Sequence, residues 1–310
     1  MIAMPEEFGR TTVEREGEAG RAWLAALPGI VEESLGRWEC VPDGEVMHGG
    51  VGVIVPVRRR GGERAVLKVS FPHPGNVHEP DAFVAWGGRG AVLLHERDDA
   101  RFAMLLERVG SSTLAEAEEG DAVVTAAGRL NRRLAVPAPP GLPRLREQAD
   151  AWERQLREDA GTFPNAVPRR VLDGALATVR ELGRDQPDTL VHGDLHPRNI
   201  LRAEREPWLA VDPKGYVGDP AYDGGTLLKS HALTLLGSDD LAGSVDRVLD
   251  VFAEAAELDR ERVRHWCRLH AVQAAFWGRQ HGFRRARSGP LLDRFTRYAD
   301  HLAVLLTEGP

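Results

Sequence analysis

The segment Leu190-Val-His-Gly-Asp-Leu-His-Pro-Arg-Asn-Ile-Leu201 carries an acid, Asp194, and an amide, Asn199, on a loop with a strand at each end. A second acid, Asp212, follows in Trp208-Leu-Ala-Val-Asp-Pro-Lys-Gly215. The strand that Asn199 enters turns at residues 204–207 and returns as 208–211, so the hairpin brings Asp212 back beside Asn199. One carboxylate then stands near the loop tip, with an amide oxygen and a second carboxylate converging below it. A hard divalent cation such as Mg²⁺ takes one or two protein oxygens plus phosphate oxygens. A separate carboxylate can orient a hydroxyl and accept its proton. The chemistry these types suit is phosphoryl transfer.

Such a transfer also needs a cation for the α and β phosphates. Lys68 stands in Ala65-Val-Leu-Lys-Val69, inside an expected strand, and Glu79 on the next helix can pair with it. His48-Gly-Gly-Val-Gly52 lies between two strands, where Gly49 and Gly50 would let backbone N–H groups approach phosphate. Each feature has a plainer reading. Lys68 alone is an edge-strand lysine that discourages aggregation; its coincidence with Asp194, Asn199 and Asp212 favours the phosphate role. Glu79 alone is a helix-start acid that suits the dipole. Lys214, just behind Asp212, reads as a solvated loop charge. His192, Asp194 and His196 offer a transition-metal cluster, but no second histidine cluster completes it, and it leaves Asn199, Asp212 and Lys68 unexplained. In the phosphoryl reading His192 is structural and His196 orients the loop.

The elements that must position these groups can be read from periodicity. Residues 1–17 are polar and read as frayed, and 18–38 as a helix whose second part starts at Pro28. Strands are expected at 44–57 and 64–70 around a Gly61-Gly62 turn, a short helix at 77–86, and strands at 91–96 and 102–108. Beyond residue 110 helices are expected at 114–119, 122–134, 145–159, 167–182, 222–236, 240–257, 259–281 and 291–306. A stiff proline loop spans 136–143, and short strands lie at 189–191, 200–202 and 208–211. The fold class is α+β, with a small antiparallel β-rich lobe over 1–108 and a larger, mainly helical lobe over 109–310. Trp266, Phe276 and Trp277 recur at helical spacing, which is usually core. Trp277 and His281 are also candidate substrate contacts, as is Asp223, whose plainer reading is a buried brace at a helix start.

Among 310 residues, 42% hydrophobic and 28% charged composition excludes disorder over most of the length. No apolar run approaches the roughly 20 residues that span a bilayer, and the acidic first 20 residues do not read as a secretory signal. Two cysteines, Cys40 and Cys267, make no disulfide framework. A cytoplasmic location without membrane contact is expected, and a monomer. A net charge of −7 speaks against nucleic acid and would suit a cationic small molecule. Three lysines, Lys68, Lys214 and Lys229, stand among 40 basic residues, so each is a candidate for needing a compact ammonium.

The catalytic-loop segment and its return to Asp212 resemble the corresponding segments of kinase-like antibiotic phosphotransferases, and most closely those of the aminoglycoside/hydroxyurea antibiotic resistance kinases. The likeness is carried by Gly20-Arg-Ala-Trp-Leu-Ala-Ala-Leu-Pro28, Ala65-Val-Leu-Lys68, Ala85-Trp-Gly-Gly88, Leu105-Leu-Glu-Arg108, Val136-Pro-Ala-Pro-Pro-Gly141, His192–Asn199 and Glu206 through Asp223. It implies a protein-kinase-like bilobal fold with ATP in the cleft. It implies Asp194 as catalytic base, Asn199 and Asp212 as Mg²⁺ ligands, and Lys68 on the nucleotide phosphates with Glu79 as partner. Leu106, Glu107 and Val109 fall where the family's hinge meets adenine through backbone groups, and Asp219 where it braces the catalytic loop. Pro-Lys-Gly215 after Asp212 departs from the protein-kinase triplet, and the glycine loop lacks the full G-x-G-x-x-G pattern. The implied activity is transfer of the ATP γ-phosphate to a hydroxyl of a streptomycin-like aminoglycoside. Two other readings stay open: a kinase of hydroxyurea or another alcohol, and a nucleotide-binding regulator without turnover. A polycationic acceptor calls for several carboxylates around Asp194, and few acids there would favour a neutral one.

Overall fold

The computed structural model describes residues 5–283 and 289–308. Helix α1 (Glu6–Arg37) leads into strands β1 (Cys40–Pro42), β2 (Met47–His48), β3 (Gly52–Arg59) and β4 (Arg64–Ser70), then helix α2 (Glu79–Trp86) and strands β5 (Leu94–Asp98) and β6 (Ala103–Glu107). The strands form one antiparallel sheet in the order β1-β3-β4-β6-β5, with β2 also on β3. Period-2 alternation sorts its faces. Val53, Val55, Val57, Ala65, Leu67, Val69, Ala103 and Leu105 pack against α1 residues Phe8, Trp23, Leu27 and Val31. Val66, Met104 and Leu106 face the other way, into the core that runs on through the helical lobe. Lys68 shares the parity of Val66, so the pleat turns it away from α1 and toward α2.

The larger lobe comprises α3 (Leu114–Ala117), α4 (Asp121–Leu134), β7 (Val136–Pro137), α5 (Ala149–Thr162), α6 (Arg169–Thr178), β8 (Thr189–Val191), β9 (Ile200–Arg202), β10 (Trp208–Ala210), β11 (Tyr216–Val217), α7 (Tyr222–Ser230), α8 (Ala232–Leu235), α9 (Leu241–Ala256), α10 (Arg260–His281) and α11 (Pro290–Glu308). Helix α10 is central. It packs on α6, α7, α9 and α11, and its Trp266, Leu269, Val272 and Phe276 are fully or almost fully buried. Cys40 and Cys267 are free and buried in separate cores. Among the described residues no helix is long and apolar enough to cross a membrane.

Several local expectations are corrected. Residues 6–17 are helical rather than frayed, and Phe8 and Thr12 are 0% exposed; Met1 to Met4 lie outside the described residues. The break in α1 is at Gly17 (φ 61°, ψ −133°), not at Pro28, which the helix absorbs. A turn at Gly17 puts Phe8 and Thr12 out of phase with the Trp23–Leu27–Val31 stripe, so no single periodic pattern covers them. The proline loop starts as β7, whose Val136 and Pro137 pair with Leu190 and Thr189 as an edge strand. Ala91 is not in β5. It forms a parallel bridge to Ala210, and the Val92 N–H donates to the Ala210 carbonyl, so the segment after α2 is tied to the large lobe. The 222–236 helix divides into α7 and α8 at His231.

Burial of Phe8 against the sheet gives a test. Phe8→Ala is expected to destabilise the protein by about 3–5 kcal/mol, the usual cost of emptying a buried phenylalanine site. Urea unfolding at constant m-value reads it. A change within about 0.5 kcal/mol, as for an ordinary surface site, would mean the segment is not packed.

Candidate active site

Strand β8 delivers the loop 192–199. Its shape is held from below by Asp223 at the start of α7, which is 1% exposed. One Asp223 carboxylate oxygen accepts from the His192 and Gly193 N–H groups (3.1 and 3.3 Å) and the other from Leu195 (3.4 Å). Burial pushes this carboxyl up, against those N–H bonds, which favour the ionised form. Asp223 therefore braces the loop and has no oxygen turned to a substrate. Asp219, expected in that bracing role, instead accepts from Trp266 Nε1 (2.6 Å) and Arg262 (2.5 Å) and so ties the turn before α7 to α10. Gly193 has φ 80°, and a Cβ there would lie 2.6 Å from the Tyr216 ring.

His192 is buried. Its Nδ1 accepts the Asp194 N–H (3.2 Å), so its Nε2–H donates to the Val211 carbonyl (3.0 Å). Burial lowers its pKa to about 4, and it stays neutral. With both ring nitrogens engaged it is no metal ligand, and among the described residues no group of three or more His, Cys, Asp or Glu could hold a metal ion.

Asn199 Nδ2 donates to the Asp194 carbonyl (3.0 Å), which leaves Oδ1 as its acceptor. The Val211 N–H donates to the Asn199 carbonyl (2.9 Å), the strand return that places Asp212 next door. Asp212 has the left-handed φ of 61°, a conformation costly for a non-glycine residue and frequent at functional sites. Its carboxylate receives Lys68 Nζ at 2.7 Å, and Lys68 also meets Glu79 at 2.5 Å. The Lys68 ammonium and other nearby cations hold Asp212 far below the usual carboxylate range. Burial alone would lower Lys68, but Asp212 and Glu79 outweigh it and raise its pKa. Glu79 is 1% exposed, and burial raises its carboxyl against the pull of Lys68. One carboxylate and one free amide oxygen, adjacent and half-buried, are a donor set that suits Mg²⁺ completed by phosphate oxygens and water.

Lys214 is not a solvated loop charge. Its side chain is 23% exposed, and its Nζ lies 3.6 Å from Asp212 Oδ2 and 3.9 Å from Asp194 Oδ2. His196 Nε2 is also 3.9 Å from Asp194 Oδ2. The structure thus gathers Lys68, Glu79, Asp194, Asn199 and Asp212 and adds Lys214.

Other candidates are placed differently. The Gly49 N–H closes the β2–β3 turn on the Gly52 carbonyl (2.9 Å), and the Gly50 carbonyl takes Arg15 of α1 (2.6 Å). The Gly49 N–H is therefore spent within the turn rather than presented to phosphate. Leu106 is buried within β6, and Val109 packs against the main core. The Glu107 N–H donates to the Leu93 carbonyl (2.8 Å), and its carboxylate binds Arg205 (2.8 and 2.9 Å). Glu107 is thereby a brace between the lobes, its N–H not free for adenine.

Trp277 and His281 stack at 5.4 Å on the wall of a cavity of about 730 Å³ between α5, α7, α10 and α11. Sequence reasoning missed Trp152, Asp159, His270 and Tyr298 on that wall, and marked Lys229 only by its residue type. His270 Nε2 and Tyr298 Oη are buried without a hydrogen-bond partner, and burial keeps His270 neutral, with its pKa near 3. Lys229 opens into the cavity and is in the field of Asp194, which opposes the lowering of its pKa by burial. The scarcity of lysine was the available signal for Lys214 and Lys229.

The family model described as aminoglycoside/hydroxyurea antibiotic resistance kinase matches residues 37–282. The chain belongs to this family. It is 38% identical over 283 residues to a streptomycin 6-kinase of Streptomyces griseus, covering 91% of this chain and 92% of that one. It is 37% identical over 281 residues to a hydroxyurea phosphotransferase of Kitasatospora aureofaciens, covering 89% and 80%. A choline/ethanolamine kinase family protein of Mesorhizobium loti shares the fold, with TM-score 0.59, 13% identity and coverage of 91% and 96%. This kinase therefore has the protein-kinase-like bilobal architecture, and the family match leaves nearly all of α1 and the whole of α11 outside its bounds.

Asp223→Asn keeps the size of the brace but turns one acceptor into a donor facing an N–H. It is expected to cost about 2–4 kcal/mol of stability, read by denaturant midpoint, and to abolish turnover. Wild-type stability and turnover would remove Asp223 from this role.

Proposed function

We propose that the protein is an ATP-dependent O-phosphotransferase that phosphorylates a hydroxyl of a streptomycin-like aminoglycoside. The observation that carries this reading is the Lys68–Asp212 contact at 2.7 Å. It joins the small-lobe lysine to the acid that lies one strand return from Asn199 and Asp194. The acceptor class is supported by the streptomycin 6-kinase relative at 38% identity.

In this reading Lys68, steadied by Glu79, presents its ammonium to the nucleotide phosphates. Asp212 and Asn199 Oδ1 would hold Mg²⁺, which when bound would neutralise charge on the phosphate oxygens. Asp194 accepts a hydrogen bond from the acceptor hydroxyl and aligns its oxygen with the γ-phosphorus. The oxygen–phosphorus bond forms as the bridging bond to ADP breaks, and the hydroxyl proton passes to the Asp194 carboxylate. Most of the rate gain is positioning and electrostatics. His192 and Asp223 keep the Asp194 backbone in place.

Asp194→Asn is expected to lower turnover on the order of 10²–10⁴-fold, the scale of general-base catalysis, with folding unchanged. Mass spectrometry after incubation with ATP, Mg²⁺ and an aminoglycoside panel should show one added phosphate on one compound with the wild type. Full turnover by the variant would overturn the role of Asp194. ATP consumption by the wild type with an acceptor present also separates this kinase from a regulator without turnover.

The cavity lining favours a second reading of the acceptor. Its wall is largely aromatic and aliphatic, and its carboxylate among the described residues is Asp159, which is already hydrogen-bonded by Gln155 (2.8 Å) and by Gln280. That chemistry suits an acceptor of low charge with an apolar face. A panel of neutral alcohols and hydroxyurea, run beside the aminoglycosides, decides between them. Higher kcat/KM for a neutral compound would move the acceptor class, and higher kcat/KM for streptomycin would retain it.

A further inference from the structure

The chain uses arginine almost everywhere: of its 40 basic residues, three are lysines. All three stand around one place. Lys68 and Lys214 both reach Asp212, Lys214 also reaches toward Asp194, and Lys229 lies in the field of Asp194. Among the described residues every other ion pair uses Arg or His as its cation, such as Arg205 on Glu107 and Arg262 on Asp219. A lysine head is a compact point charge with three freely rotating donors, whereas a guanidinium is a flat fork.

Lys214 is held more firmly than a loop lysine. Its N–H donates to the His192 carbonyl at 2.8 Å, which fastens it to the catalytic loop. Its stem packs beside Gly193, where an added Cβ would lie 3.1 Å from Lys214 Cβ. The next residue, Gly215 (φ 66°), passes so close to α2 that a Cβ there would lie 2.8 Å from the His78 carbonyl oxygen. The backbone is thus wedged between the catalytic loop and the start of α2. Its ammonium, however, is not spent. Lys68 makes direct bonds at 2.5 and 2.7 Å, while Lys214 stands 3.6 and 3.9 Å from Asp212 and Asp194, beyond ordinary hydrogen-bond length. A cation between the base and the nucleotide-side carboxylate, with donors to spare, sits where a phosphoryl group must cross.

We propose that Lys214 is a further catalytic residue, whose ammonium neutralises the phosphoryl group as it passes from the nucleotide to the acceptor oxygen. This rests on the phosphotransferase reading above. Two carboxylates face the crossing point and repel a phosphoryl group whose charge is spread over three equatorial oxygens. Lys214 offsets that repulsion and neither gains nor loses a proton. The proton of the hydroxyl still goes to Asp194, and the broken bond is still the one to ADP.

The test uses the full chain with ATP, Mg²⁺ and the best acceptor. Lys214→Ala is expected to lower kcat on the order of 10²–10³-fold, the cost of removing one preorganised charge-stabilising donor. The KM for ATP and the dissociation constant for ADP should stay within about threefold, because the interaction is made mainly in transfer. Lys214→Arg should restore part of kcat, since it keeps the charge on a different shape. Should Lys214→Ala not fold, Lys214→Met keeps the stem and is read in the same way. Unchanged kcat, or a loss matched by weaker ADP binding, would make Lys214 a mere counter-ion of Asp212 and overturn the proposal while the phosphotransferase reading stands. A wild type that consumes no ATP with any acceptor would overturn both.

Discussion

The active centre depends on a problem of charge. Asp194, Asp212 and Glu79 bring three carboxylates into one half-buried cleft, and Lys68 and Lys214 answer them. Taking such groups out of water is costly, and their mutual attraction offsets the cost only when geometry is good. Here the geometry joins separate elements. Lys68 is on a small-lobe strand, Glu79 on the helix that follows that strand, and Asp212 on a large-lobe turn. The contacts at 2.5 and 2.7 Å hold all three at once. Replacing the set by apolar residues would be tolerable for stability in principle, but it would leave no cation facing the cleft. The charges are therefore better explained by the site than by the fold.

The opposite edge of the cleft is fixed by neutral and ionic bonds of another kind. Arg205, on the β9–β10 turn, binds Glu107 at the end of β6 and the carbonyls of Gly88 and Ala91 (both 2.6 Å). The Ala91–Ala210 bridge and the Val92 N–H bond lie beside it. A planar guanidinium suits this place, since it reaches two carboxylate oxygens and two carbonyls together. The lobes are thus joined on both sides: by a staple with no part in the chemistry, and by an ion cluster at the chemistry itself.

What was legible in the sequence follows from how local each signal is. The pleat of β4 sets the direction of Lys68, and the β9–β10 return sets Asp212 beside Asn199. Both are short-range and both were read. For Asp223 the plainer reading, a buried brace at a helix start, is the one the structure shows, while the loop-bracing role implied for Asp219 is not; four residues of separation cannot say which carboxylate faces the loop and which faces α10, and the packing of Trp266 decides it. Residues 6–17 were missed because Gly17 interrupts the helical period. Lys214 looked solvated because its confinement comes from Gly193, Gly215 and His78, three contacts across different segments. The cavity wall was legible only in part, at Trp277 and His281 of α10, since α5, α7 and α11 each supply only a few of its residues and nothing local says which faces meet.

That cavity also carries a cost that the fold tolerates. His270 Nε2 and Tyr298 Oη lie buried without partners on a wall otherwise rich in apolar groups. A buried polar atom left unpaired costs about 1–3 kcal/mol, so two of them are a liability in a core built only for stability. Neither atom is open to the cavity of about 730 Å³ as it stands, so a partner for either needs the wall to shift. A ligand group that reached them would gain the bonds, whereas an analogue lacking that group would leave the atoms bare. Discrimination of this kind exceeds what an apolar pocket achieves by shape. The orphaned imidazole and phenol therefore belong to the wall of the helical-lobe cavity, a wall shared by Lys229, which lies in the field of Asp194.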